Sequence, residues 1–283
     1  MVLKKLKCEK NQKLSKLISD ELGLGFNVIQ KIIRNKDVKI DGKRVSKDID
    51  VSIGTLVEIF YNDKPVKIVF ENEDLLVAFK PRNIETISEE SNDDLLNKLM
   101  TELSKELFAV HRLDRNTEGL VIFAKNKKSK DCLDEAIKNR KLEKFYLAKV
   151  IGKLENKQEK LVAYLKKDEK RSQVFVSDNI QRGYEEIKTN YKVLNETGEF
   201  SILEVELVTG KTHQIRAHLS HIGHPILGDE KYGNSDVNKL CKKKFQCLCA
   251  YKLIFHFDEK DYLFYMNGTH VELSQNEIDF FKN

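Results

Sequence analysis

One carboxylate, Asp114, stands between two arginines, Arg112 and Arg115, in the stretch HRLDRNTEGL at residues 111–120. Neighbouring cations favour the ionised form of an acid. An acid kept ionised suits a nucleophile or a base, not a proton donor. Taken alone, R-L-D-R describes a structural ion pair in a loop equally well. A second cluster gathers His213, His218, His221 and His224 within twelve residues, with Cys241, Cys247 and Cys249 downstream. Zinc needs ligands that converge. His218 and His221 are three apart, but His213 lies five before His218, so the set does not share one helical face. Neither C-x-x-C nor H-E-x-x-H occurs, and no metal site is expected. The triplet Gly210-Lys211-Thr212 lacks the upstream glycine of a phosphate-binding loop.

These side chains need elements to hold them. GLVIFAKN, from Gly119 to Asn126, is a short apolar run bounded by turn formers and predicts a buried strand directly after the Asp114 loop. VKIVFENEDLLVAFKP, residues 66–81, reads as strand, turn, strand. DDLLNKLMTELSKEL and SKDCLDEAIKNR carry apolar residues at helical spacing. EKFYLAKVIGKL and FSILEVELVTG read as strands, and THQIRAHLSHIG predicts about three turns of helix before Gly223. Strands and helices follow one another without a regular βαβ rhythm, so the expected class is α+β with a mixed, mainly antiparallel sheet.

The first sixty residues form a smaller pattern. Leu14, Leu17, Ile18 and Leu22, then Val28, Ile29, Ile32 and Ile33, make two apolar helical stripes. VKIDGKRV alternates around Asp41-Gly42, a hairpin signal, and VSIGTLVEIF predicts a further strand pair around Gly54. YNDKPVK, residues 61–67, is polar and holds one of three prolines, so domains of 1–62 and 63–283 are expected. Charge divides the same way. Residues 1–62 hold 13 Lys+Arg against 8 Asp+Glu, whereas the remainder holds 37 of each. The whole formal excess of +5 therefore sits in the first fifth of the chain. A solvated lysine-rich face would account for it, and so would a module that grips a polyanion. Five cysteines, an odd number in a chain of 283 residues, do not outline a disulfide framework, so a reducing, cytoplasmic setting is expected. No apolar run reaches membrane-span length and no secretory leader is evident, so no membrane association is expected.

HRLDRNTEGL resembles the signature of the RluA family of RNA pseudouridine synthases, in which the aspartate is the catalytic residue. Four further stretches match in the same order. FKPRNI resembles the early K-P-x-G element, with Asn83 in place of glycine; asparagine tolerates the left-handed backbone such a turn needs. EKFYLAKV resembles K-x-Y-x-A, which makes Tyr146 the counterpart of the family's active-site tyrosine. In isolation a core tyrosine would be the better reading of that residue. VTGKTHQIRAHLSHIGHPILGDEKYG, residues 208–233, resembles the long second signature and assigns Arg216 to the arginine that pairs with the aspartate. FQCLCAYKLIF resembles Q-x-L-H-A-x-x-L-x-F, with Cys249 where histidine is usual. The N-terminal segment resembles the alpha-L RNA-binding domain, an α/β module in which Lys31, Arg34, Lys36, Lys39, Lys43 and Arg44 would meet RNA.

The resemblance implies a pseudouridine synthase fold and isomerisation of specific uridines in RNA. Asp114 would attack the anomeric carbon or take a proton from the neighbouring ribose carbon. Arg216 would hold it ionised and aimed, and Tyr146 would wall the uracil pocket. Arg112 and Arg115 would contact RNA around the vacated stack. No cofactor is implied. The expected partner is RNA, large-subunit ribosomal RNA first and tRNA second, met by a monomer. Two other classes explain part of the pattern. An RNA-binding factor would need no Asp114, and a glycoside hydrolase would need a second placed carboxylate.

Overall fold

The computed structural model describes residues 2–24, 26–61, 66–88 and 94–281. The chain divides into two compact units, Met1–Val66 with Glu85–Leu107, and Lys67–Ile84 with Phe108–Asn283. The expected boundary after residue 62 falls in 62–65, outside the described residues. The first unit also takes in Glu85–Leu107, which a division into 1–62 and 63–283 places with the second.

The first unit runs β1 (Val2–Lys7), β2 (Gln12–Lys13), α1 (Leu14–Leu22), α2 (Phe26–Arg34), β3 (Val38–Ile40), β4 (Lys43–Val45), β5 (Asp50–Val51) and β6 (Leu56–Tyr61). A four-stranded antiparallel sheet, ordered β1-β6-β3-β4, packs against both helices. Leu14, Leu17 and Ile18 of α1 meet Ile29, Ile32 and Ile33 of α2 over Val38, Val57 and Ile59. The apolar stripes are therefore the core faces of the two helices. Asp41 (φ 46°) and Gly42 (φ 81°) both take the left-handed backbone that a two-residue hairpin turn demands. The strand pair expected around Gly54 does not form. β5 pairs with β2, while β6 pairs with β1 and β3. The residues around Gly54 are thus a connection between two sheets. From Glu85–Leu107 this unit gains α3 (Leu95–Leu103), capped by the Asp94 side chain accepting from Asn97 N at 2.8 Å.

The second unit holds β7 (Ile68–Glu71), β8 (Leu75–Lys80), β9 (Phe108–Ala109), β10 (Glu118–Ala124), α4 (Lys127–Lys138), β11 (Leu142–Ile151), β12 (Gln158–Asp168), β13 (Gln173–Ser177), β14 (Glu185–Thr197) and β15 (Phe200–Leu207). It continues with α5 (Gln214–His221), α6 (Ser235–Leu240), β16 (Leu248–Phe255) and β17 (His270–Glu272). One large sheet runs β13-β12-β14-β15-β11-β16-β10-β8-β7, with β17 beside β16 and β9 beside β10. Among these pairings only β10 with β16 is parallel, so the mainly antiparallel α+β architecture is as expected. All seven residues of β10 are buried, as its continuous apolar run requires. α5 is shorter than its pattern suggested, at eight residues, because His213 before it turns left-handed.

The parallel junction rests on Gly119. Its φ is 124°, and a Cβ there would overlap the backbone of Ala250 on β16. Gly119→Ala is expected to cost on the order of 2–3 kcal/mol or more, because no relaxation relieves both the dihedral and the clash. Denaturant midpoints of the two proteins check this. A loss under about 0.5 kcal/mol would mean the junction yields easily.

Candidate active site

Asp114 sits five residues before the Gly119 junction, in the loop between β9 and β10. Several bonds hold that loop. Lys80, at the end of β8, is fully buried and donates from Nζ to the carbonyls of Pro81 (3.0 Å), Ile84 (2.8 Å) and Arg115 (3.0 Å). A buried ammonium without such acceptors would be expensive. Here it ties the turn after β8 to the residue following Asp114. Within that turn Asn83 has φ 63°, the left-handed conformation expected of it. Arg82 pairs with buried Glu118 at 2.8 Å, and Gln246 donates to Thr117 Oγ1 at 2.7 Å. At the loop's start, His111 Nε2 accepts from Ile122 N at 3.2 Å. Burial, together with the nearby Lys144 charge, lowers the His111 pKa to about 3, so it is a neutral anchor.

Asp114 keeps 26% of its side chain exposed. Its Oδ2 accepts from Arg216 Nη1 at 2.8 Å. The expectation that the flanking arginines hold its charge is not met. Arg112 and Arg115 are both exposed, and among the described residues neither pairs with Asp114.

Arg216 comes from the first turns of α5 and is 6% exposed. Its remaining nitrogens grip a second acid that the sequence reading did not single out. Nε donates to Asp229 Oδ2 at 2.7 Å and Nη2 donates to Asp229 Oδ1 at 2.9 Å. One guanidinium thus bridges two carboxylates, bidentate to Asp229 and single to Asp114. Asp229 is 1% exposed and also accepts at Oδ1 from Lys231 N (2.9 Å) and Tyr232 N (3.0 Å). Burial alone would raise the Asp229 pKa, but the Arg216 bonds and these two backbone donors hold it below the usual carboxylate range. Burial also works against the Arg216 cation. The Asp229 bonds and charge, joined by Asp114, push its pKa upward overall. Asp229 lies inside the quoted signature. The signal that could have marked it is its place in a tight Gly228-Asp229 turn, where Gly228 has φ 82° and a Cβ would overlap the Phe245 carbonyl.

Tyr146 lies on β11, 6% exposed, opposite Ala250 and Val205. Burial raises its pKa, and the negative charge of Asp114 adds to that, followed by Cys249. The phenol is therefore neutral and next to the acid. Cys249 is fully buried beside it, in the position where histidine was expected. Asp114, Arg216 and Tyr146 are thus brought together, whereas Arg112 and Arg115 form an outer, solvent-facing pair.

The other histidines separate. His218 Nδ1 bonds Thr189 Oγ1 at 3.0 Å, His221 Nε2 bonds Asp178 at 2.8 Å, and His224 Nδ1 bonds the Ile151 carbonyl at 3.1 Å. Among the described residues no group of three His, Cys, Asp or Glu converges on a metal position. The basic residues of the first unit lie on it as follows. Lys39 and Arg44 place their cations 5.1 and 5.4 Å from the Phe60 ring centre. Arg44 donates to the Lys36 carbonyl, and Arg34, Lys36 and Lys43 are exposed. The side chain of Lys31 lies outside the described residues. No helix among the described residues is long and apolar enough to cross a membrane.

Residues 59–221 match the RNA pseudouridylate synthase family. The chain is 29% identical to the ribosomal large subunit pseudouridine synthase C of Buchnera aphidicola, over 78% of this chain and 77% of that protein. It is also 29% identical to the mitochondrial tRNA pseudouridine(32) synthase of Saccharomyces cerevisiae, over 74% of this chain and 47% of that one. The structure of human RNA pseudouridylate synthase domain containing 1 overlays with a TM-score of 0.59 at 21% identity, covering 77% of this chain and 94% of that chain. The chain therefore belongs to the RNA pseudouridylate synthase family, in its RluA branch, and is an isomerase that converts uridine in RNA to pseudouridine.

Proposed function

We propose that the chain modifies specific uridines of large-subunit ribosomal RNA, with Asp114 as the catalytic nucleophile or base, Arg216 as its partner and Tyr146 as the wall of the uracil pocket. The reaction breaks the bond from C1′ to N1 of uracil, turns the base and joins C1′ to C5. A proton leaves C5 and one is gained at N1. The target base must leave its stack, which costs a few kcal/mol. Arg112 and Arg115 face solvent beside Asp114 and are the cations that handle the RNA there. An ionised Asp114 either attacks C1′, as the nucleophile of a retaining glycosidase does, or takes the C2′ proton. Both routes need the charge. The observation that carries the reading is the 2.8 Å bond from Arg216 to Asp114 by a guanidinium already clamped on Asp229. Tyr146, kept neutral in the free protein because burial raises its pKa, contributes ring contact to the uracil and a group for the late proton transfer. The chemistry so described uses no metal or other cofactor.

Ribosomal RNA is favoured over tRNA because the basic first unit suits a structured, extended polyanion. It carries Lys31, Arg34, Lys36, Lys39, Lys43 and Arg44, two of them around Phe60. Mapping pseudouridine in cellular RNA with and without the protein tests the assignment. Sites lost from large-subunit RNA support it, and sites lost only from tRNA replace it with the second reading.

The grip itself is testable. Replacing Lys36, Lys39, Lys43 and Arg44 by glutamine is expected to weaken RNA binding for all sequences alike. The slope of log affinity against log salt should flatten by about one for each phosphate contact removed. An unchanged slope over a salt titration would show that these cations do not meet phosphate.

A further inference from the structure

His213 is placed as few histidines are. It takes φ 54°, a backbone region that side chains rarely adopt, immediately before α5. Its side chain makes no capping bond to that helix, so capping does not explain it. Its ring instead stands edge-on to Tyr232, with centroids 5.6 Å apart, and Nδ1 lies 2.9 Å from the Tyr232 hydroxyl. That hydroxyl already accepts from Val174 N at 2.9 Å. Its own proton needs an acceptor, and among the described residues His213 Nδ1 is the one it reaches. Nδ1 is thus occupied as an acceptor, which leaves the ring proton on Nε2. Nε2 points at Asp114 Oδ2 from 3.8 Å.

Tyr232 is itself built into the site. Its backbone N donates to Asp229, its carbonyl accepts from Ser220 Oγ at 2.8 Å, and its ring lies 5.2 Å beneath the Arg216 guanidinium. The charged groups facing His213 are Asp114, Arg216, Lys231 and Asp229. Burial lowers its pKa, and Arg216 and Lys231 act in the same direction against the two carboxylates, so the ring is neutral at pH 7.

Building on the reading of Asp114 as the catalytic group, we propose that His213 is a positioning residue for it. His213 is a neutral imidazole whose proton is locked on Nε2 by the chain Val174, Tyr232, His213, and it donates to Asp114 Oδ2 when RNA fills the site. Arg216 addresses the same oxygen. Both donors therefore sit on Oδ2, and Oδ1, which has no hydrogen bond among the described residues, is left to meet the ribose. The 3.8 Å separation is too long for a hydrogen bond in the free protein, and catalytic contacts commonly tighten only with substrate bound.

Two side chains separate the donor from the backbone role. Glutamine carries an N–H near the position of Nε2, whereas asparagine reaches only as far as Nδ1 and tolerates the left-handed backbone better. His213→Gln should keep single-turnover rates within about tenfold of wild type. His213→Asn should fold at least as well, bind RNA equally and react slower by a further ten- to a hundredfold. An asparagine variant as fast as the glutamine variant, or faster, would overturn the proposal. A second reading does not depend on any variant folding. In full-length protein labelled with ¹⁵N-histidine, the ring nitrogens of His213 should show the Nε2–H form at pH 7.5. Tyr232→Phe should mix the two tautomers. A protonated Nδ1 in the wild-type ring would equally sink the idea. Asp114→Asn runs beside these. If it turns over, the catalytic assignment itself fails. If it is dead while His213→Asn matches wild type, only the role of His213 is lost.

Discussion

Asp114→Asn is expected to fold and bind RNA as the parent protein does and to form no detectable pseudouridine. Asparagine has the same shape, and its carbonyl oxygen can still accept from Arg216 Nη1, so the 2.8 Å contact survives. Stability should change little, because Asp114 is 26% exposed and Arg216 keeps its bidentate partner Asp229. What disappears is the charge. A neutral amide neither forms an ester at C1′ nor removes a proton from C2′. Loss of a group that does the covalent or proton-transfer step costs on the order of 10⁴-fold or more, about 5 kcal/mol of barrier. Single-turnover measurement with enzyme in excess over RNA separates the chemical step from binding. Turnover within tenfold of wild type would remove Asp114 from the mechanism and with it the reading of the whole loop.

The parts of this site that were legible in the sequence are those encoded by consecutive residues. HRLDRNTEGL marked the Asp114 loop and the strand after it. Asn83 marked a left-handed turn, and Asp41-Gly42 marked a hairpin, because each depends on the backbone preference of one or two residues. What escaped depends on how distant segments return. From local spacing alone the cation on Asp114 is out of reach: it is Arg216, 102 positions away, which only the resemblance of residues 208–233 assigns. Asp229 sits in plain view in the signature, yet only the turn from Ile222 to Gly228 brings it back against the helix that carries Arg216. Residues 158–197 carry no motif and form two long strands, β12 and β14, and the short β13, whose role appears only when Val174 is seen to hold Tyr232. The strand pair misread around Gly54 has the same origin: alternation identifies a strand but not its partner.

The second large effect concerns Arg216, and the geometry decides which partner matters for what. Arg216 makes two of its three side-chain bonds to Asp229 and one to Asp114. Asp229 is 1% exposed, so removing the guanidinium strands a buried carboxylate. Breaking a buried pair by deleting one partner typically costs about 3–5 kcal/mol, and Arg216→Ala should lose that much stability along with turnover. Deleting both members of the buried pair leaves no uncompensated charge. Arg216→Ala with Asp229→Ala should therefore be more stable than the sum of the single losses by about 1–3 kcal/mol. Arg216→Ala with Asp114→Ala should show no such recovery, since Asp114 can be hydrated when alone. Arg216→Lys tests shape against charge. An ammonium is a point charge on a flexible stem and cannot hold a bidentate grip on Asp229 while still donating to Asp114. It should keep most of the stability and lose most of the rate, roughly a hundredfold, because the acid is no longer held in one place. Asp229→Asn completes the set. It retains the volume and one acceptor, weakens the clamp, and should slow turnover without touching the substrate. Urea titrations of these five variants and of the single Asp229→Ala and Asp114→Ala proteins, paired with single-turnover rates, read both axes. Recovery with Asp114 instead of Asp229, or a near-normal rate for Arg216→Lys, would show that Arg216 serves Asp114 alone and that the buried acid is a bystander.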